Sequence, residues 1–128
     1  MGIQAAGVAA MESWRDFVPS NVAIFKERRD AAVSAFRSAG FSCDVPQATM
    51  YLWIALPDGV ASRPFAERLM EEEGVIVLPG AGFGAGGEGF FRVSFIVPPA
   101  RMAEAAERAG RVLAALQAES GTEAVAAR

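Results

Sequence analysis

Arg92 is the residue whose type and spacing best suit recognition chemistry. In the run from Phe90 to Val97, a period of two sets Phe91, Val93, Phe95 and Val97 on one face and Phe90, Arg92, Ser94 and Ile96 on the other. Arg92 then stands mid-strand on an otherwise largely apolar face. Its planar, permanently charged fork could meet a carboxylate through two parallel hydrogen bonds, a geometry that lysine lacks. By spacing alone, the simpler reading is an outward-facing arginine on a half-exposed antiparallel sheet.

Other candidates are weaker. Gly82-Phe83-Gly84-Ala85-Gly86-Gly87 fits G-x-G-x-x-G, but dinucleotide binding needs a strand before the glycines and a helix after them, whose amides hold the pyrophosphate. Here a strand follows, so the glycine-rich stretch reads as a loop over a ligand or hinge, or simply as a mobile loop. Glu27-Arg28-Arg29-Asp30 alternates charge as solvated helix faces do, and the chain's single lysine, Lys26, lies beside it. Tyr51 and Trp53 could line a pocket or be ordinary sheet aromatics. The lone Cys43 can form no internal disulfide and reads as an inert core or strand residue.

Composition removes much of the remaining chemistry. The 128 residues include no histidine, which excludes Ser-His and Cys-His nucleophile systems and most transition-metal sites, so no metal site is expected. Net charge is -3 with pI about 5.0 and no basic run, which argues against nucleic acid and anionic lipid as partners. No apolar stretch is long enough for a membrane span, and the Ala-rich start lacks a basic flank, so a cytoplasmic protein is expected. Apolar residues make up 52% and mean hydropathy is +0.25, slightly greasy for one free-standing domain of this size.

The elements that would position these residues can be read in order. Gly2 to about Asp16 is a helix apolar on several sides. Pro19, Ser20 and Asn21 break the chain and cap a long helix to Ala39, stopped by Gly40, whose buried stripe is Val22, Phe25, Ala32, Val33 and Phe36. Short strands follow at Phe41 to Val45 and Met50 to Leu56, the latter with Met50, Leu52, Ile54 and Leu56 on one face and Tyr51, Trp53 and Ala55 on the other. Ser62 caps a helix that ends at Gly74, Val75 to Leu78 is a strand, and Phe90 to Val97 another. The last helix, Ala100 to Ala118, carries Glu104/Arg108 and Glu107/Arg111 pairs, and residues 119–128 are expected to fray. This order predicts an α+β fold: a small, mostly antiparallel sheet with helices packed against it, preceded by a long linking helix.

Five segments, taken together, resemble the C-terminal part of the class I/II aminotransferases, the fold-type I enzymes dependent on pyridoxal phosphate. They are Phe25 to Asp30, Pro46 to Trp53, Leu56 to Gly59, Gly74 to Gly80 with Phe83-Gly84, and Phe91 to Phe95. Phe25 stands where many members carry tyrosine. The resemblance implies that Arg92 grips the substrate's α-carboxylate, that Tyr51 borders the substrate, and that Pro79, Gly80, Phe83 and Gly84 belong to a loop that closes over the site. It implies residues 1–18 as the end of the large domain and 19–118 as the small domain of a fragment.

The same resemblance implies what is missing. The Schiff-base lysine, the aspartate that pairs with the pyridinium nitrogen and the phosphate cradle all belong to the large domain upstream; Lys26 lies outside that region. The expected activity is transfer of an amino group between an amino acid and a 2-oxo acid through pyridoxal phosphate, in a homodimer when complete. The isolated chain is expected to be inactive and to bind no cofactor stably. A β-lyase fragment and a non-catalytic carboxylate-binding or assembly module are the alternatives.

Overall fold

In the computed structural model, the described residues are 2–126, with side chains described through Glu119. The elements are α1 (Gly2–Glu12), α2 (Trp14–Ser38), β1 (Ser42–Cys43), β2 (Tyr51–Ala55), α3 (Ser62–Glu73), β3 (Leu78–Pro79), β4 (Phe90–Ser94) and α4 (Pro99–Ala126), with two 3-10 turns, Gly80–Phe83 and Ala85–Gly87, between β3 and β4. The four strands form one antiparallel sheet in the order β1-β2-β4-β3, so the α+β expectation holds.

One face of this sheet is covered. Leu52 and Ile54 of β2 and Phe91 and Val93 of β4 are buried there, together with Val33 and Phe36 of α2, Phe65 and Leu69 of α3, and Met102, Val112 and Leu113 of α4. Phe91 is central: its ring lies 6.0 Å from Phe36, 5.3 Å from Phe41 and 5.0 Å from Phe65. Tilted and edge-on ring pairs of this kind add about 0.5–1.5 kcal/mol beyond the area they bury.

Several boundaries differ from expectation. The helix break falls at Ser13, whose hydroxyl donates back to the Ala9 carbonyl, and not at Pro19 to Asn21. Pro19 sits inside α2 near its start, where its missing N–H forfeits one hydrogen bond, and Ser20 donates its hydroxyl to the Phe17 carbonyl. Val22 is consequently exposed and does not join the buried stripe. Met50 and Val97, each just outside its strand, are also exposed, whereas Leu56 and Phe95, likewise outside, remain buried. The strands at 41–45 and 75–78 shrink to Ser42–Cys43 and Leu78–Pro79.

The stops at Gly40 and Gly74 are as read: both glycines have positive φ, and Phe41 N–H bonds to the Phe36 carbonyl as Val75 N–H does to Leu69. Helix α4 continues to Ala126, past the expected end at Ala118, and Glu119 pairs with Arg68 of α3 at 2.8 Å. Arg108 does pair with Glu104, but Arg111 pairs with Glu73 of α3 at 2.7 Å, not with Glu107, and so ties two helices together. Of the expected frayed tail, Ala127 and Arg128 lie outside the described residues.

Helix α1 buries no residue, and Ile3 is 92% exposed. A lone 11-residue helix without tertiary packing is marginal in water. Amides of α1 are therefore expected to exchange with deuterium far faster than those of Leu52 and Ile54 in β2. Hydrogen exchange checks this, and protection of α1 equal to β2 in a monomer contradicts it.

Candidate functional site

The uncovered sheet face carries the candidate residues. Alternation that buries Phe91 and Val93 turns Phe90, Arg92 and Ser94 outward, and Tyr51 and Trp53 emerge from β2 on the same face. Trp53 is the direct cross-strand partner of Arg92, and Tyr51 of Ser94. The Trp53 ring stacks on Phe90 at 5.6 Å and 21°, and meets Phe83 from the first 3-10 turn edge-on at 5.5 Å. The Arg92 guanidinium carbon stands 4.2 Å from the Tyr51 ring centroid and 4.6 Å from that of Phe83. Such cation–π contacts are worth about 0.5–1 kcal/mol each at exposed sites.

No carboxylate among the described residues pairs with Arg92, whereas Arg29, Arg68, Arg101, Arg108 and Arg111 are all ion-paired. Beside Tyr51, Trp53 and Phe90 a shallow hollow of about 300 Å³ opens toward Ser42 and Asp44. The face can thus present one cation with unspent donors against an aromatic wall. Just before Tyr51, Thr49 has φ +72°, a strained conformation for a β-branched residue, and its hydroxyl accepts the Tyr51 N–H.

The glycine-rich stretch is built, not slack. Gly80 and Gly87 are buried against each other: a Cβ on Gly80 would lie 1.9 Å from the Gly87 carbonyl oxygen, and one on Gly87 2.0 Å from that of Gly80. Glu88 then ties the loop to α3. Its carboxylate accepts the Ser62 N–H at 2.6 Å, the Ser62 hydroxyl at 3.1 Å and the Gly89 N–H at 3.1 Å, while the Ala81 N–H donates to the same hydroxyl. Ser62 is therefore not the cap of α3, as its sequence position suggests. It is the first helical residue, Ala61 holds the cap position, and Glu88 supplies the missing acceptor from 26 residues away. Pro79, Gly80, Phe83 and Gly84 fall in this braced segment, with Phe83 reaching over the open face.

A second concavity, about 360 Å³, lies between α2 and residues 46–50, lined by Val22, Phe25, Met50 and Phe95 with Lys26 and Arg29 at its rim. Lys26 is 69% exposed and 3.8 Å from Asp30. Cys43 is buried, which pushes its thiol up from the ordinary value. Among the described residues no three His, Cys, Asp or Glu side chains gather as metal ligands.

A family model for the class I and II aminotransferases matches residues 2–108. The chain belongs to this family. Relatives named LL-diaminopimelate aminotransferase are similar to it: the protein from Nitratidesulfovibrio vulgaris strain DP4 is 43% identical over 110 residues, and that from Moorella thermoacetica is 41% identical over 111 residues. These alignments take in 86% and 87% of the chain but 28% of each relative, so the chain spans little more than a quarter of the length of the curated proteins it matches.

Solved structures agree. A probable N-succinyldiaminopimelate aminotransferase from Thermus thermophilus superposes with TM-score 0.76 at 38% identity, over 83% of this chain and 28% of that one. The α-aminoadipate aminotransferase LysN, from another strain of Thermus thermophilus and complexed with N-(5'-phosphopyridoxyl)-L-leucine, gives 0.75 at 26% identity, over 86% and 30%.

The described residues do not amount to a pyridoxal phosphate site on their own. The only lysine is solvated on α2, and the α3 N-terminus, whose amides would otherwise suit a phosphate, is already capped by Glu88.

Two predictions test the braced loop. Gly87→Ala is expected to destabilise the chain by about 1–3 kcal/mol in urea unfolding, while Gly86→Ala, with open space around its Cβ, changes stability by less than about 0.5 kcal/mol. The Ser62 and Gly89 N–H groups hold the Glu88 carboxyl below the usual glutamate range. Its stabilising contribution is therefore present above about pH 4.3, the ordinary glutamate value, and is lost as pH falls through the lowered folded value. Glu88→Gln is expected to lower the urea midpoint at pH 7, with the gap to the unaltered chain closing toward pH 3; a gap independent of pH contradicts the assignment.

Proposed function

We propose that this chain supplies the substrate-carboxylate site of an amino-acid aminotransferase, whose complete form moves an amino group between an amino acid and a 2-oxo acid through pyridoxal phosphate. Arg92 is the residue that grips the α-carboxylate. The observation that carries this reading is a half-buried arginine, central in the sheet, with no acidic partner among the described residues and an open face in front of it. Three other arginines with largely covered side chains, Arg29, Arg68 and Arg108, each have an acidic partner.

Tyr51 and Phe83 border the same site, and residues 79–84 form its closing side. Residues 19–118 act as the small domain, completed by a large domain that brings the lysine and the cofactor, in a homodimer. The names of the two relatives above support an amino acid with two amino and two carboxylate groups as the substrate.

With the chain joined to a large domain of the class I and II type, Arg92→Lys is expected to lower kcat/KM for amino acids by about 30- to 1,000-fold, roughly 2 to 4 kcal/mol. Lysine retains the charge and loses the fork. An amine lacking the α-carboxylate is expected to be nearly indifferent to the change. Equal losses for both substrates, with the fold intact, would return Arg92 to the role of a sheet-surface arginine.

A further inference from the structure

We infer that Phe83 and Tyr51 are positioning residues for Arg92: their rings hold the guanidinium by cation–π contact, so that its hydrogen-bond donors stay free for a carboxylate. The inference deepens the carboxylate-site reading above and rests on it.

The argument starts from a conflict. A long side chain on an open face loses rotamer freedom if it is to meet a ligand in one geometry, and an acidic partner is the usual means of fixing an arginine. An acid beside Arg92 would occupy the same N–H groups that the ligand needs. Rings avoid the competition, because attraction to a π face requires no acceptor atom. Arg92 has two such rings, at 4.2 and 4.6 Å, and no hydrogen bond or ion pair of its side chain among the described residues.

The two rings are anchored differently. Tyr51 rises from β2, in register beside Arg92's strand. Phe83 comes from the 3-10 turn that the Gly80–Gly87 contact and the Glu88–Ser62 bonds brace, and it leans on Trp53. Phe83 is 51% exposed, so it contributes little to the core, and its placement over Arg92 is not explained by burial. The loop thereby reaches the charged group through a single ring.

The test uses the 128-residue chain and the side-chain Nε–H signal of Arg92 in proton–nitrogen NMR, assigned by its loss in Arg92→Lys. In the unaltered chain this signal is expected to move on titration with sodium acetate at constant ionic strength and to ignore chloride. Phe83→Leu is expected to shift the free signal, by removing the ring current, and to weaken acetate binding at least threefold. Phe83→Tyr restores both. Methyl signals of the buried Leu52 check that each variant is folded, as the exposure of Phe83 leads one to expect.

Acetate affinity unchanged in folded Phe83→Leu overturns the inference and leaves the carboxylate reading standing. An Arg92 signal that ignores acetate in the unaltered chain overturns the carboxylate reading, and the inference with it.

Discussion

Burial of Phe91 on one side of a sheet that is covered on that side alone is the constraint from which the site follows. The ring is wholly buried among Phe36, Phe41 and Phe65, drawn from α2, the turn after it and α3. Because successive strand residues point to opposite faces, seating Phe91 leaves no choice for Phe90 and Arg92. A slip of one residue would bury a guanidinium without a partner and expose the aromatic centre of the core, and both changes are costly. The same alternation in β2 sends Leu52 and Ile54 inward and Tyr51 and Trp53 outward. A packing requirement on the covered face thus sets out the chemistry of the open one.

Two kinds of interaction then divide the work. The helices are tied across their outer surfaces by Arg68 to Glu119 and Arg111 to Glu73, exposed pairs of small individual worth that align α3 with α4. The open face relies instead on rings, with Tyr51 and Phe83 against one cation and Trp53 in contact with Phe83 and Phe90. Between them lies the Glu88–Ser62–Ala81 group, which caps a core helix and braces the loop that carries Phe83. Stability of α3 and placement of a ring at the site therefore share the same hydrogen bonds.

The apolar beginning of the chain has another character. Helix α1 and the first turns of α2 expose Ile3, Met11, Trp14, Phe17 and Val22, and they add nothing to the core. These residues contribute to the excess hydropathy of the chain. The matched relatives are more than three times as long as the aligned segment, in keeping with apolar surface that one compact unit does not bury.

Residue order alone determined what depends on near neighbours. The alternation of β2 and β4, the αL stops at Gly40 and Gly74, and the outward position of Arg92 were legible because each rests on a period or on one residue's backbone freedom. Five short segments likewise pointed to the family. The helix break at Ser13, the capping of Ser62 by Glu88, the pairing of Arg111 with Glu73 and the seating of Phe83 over Arg92 were not legible. Each depends on which groups packing brings together: local candidates existed at Pro19, Ser62 and Glu107, while the partners of Ser62, Arg111 and Arg92 come from other elements of the chain. Periodicity tells which way a side chain faces; what stands opposite it is decided when sheet, helices and loop close on one core.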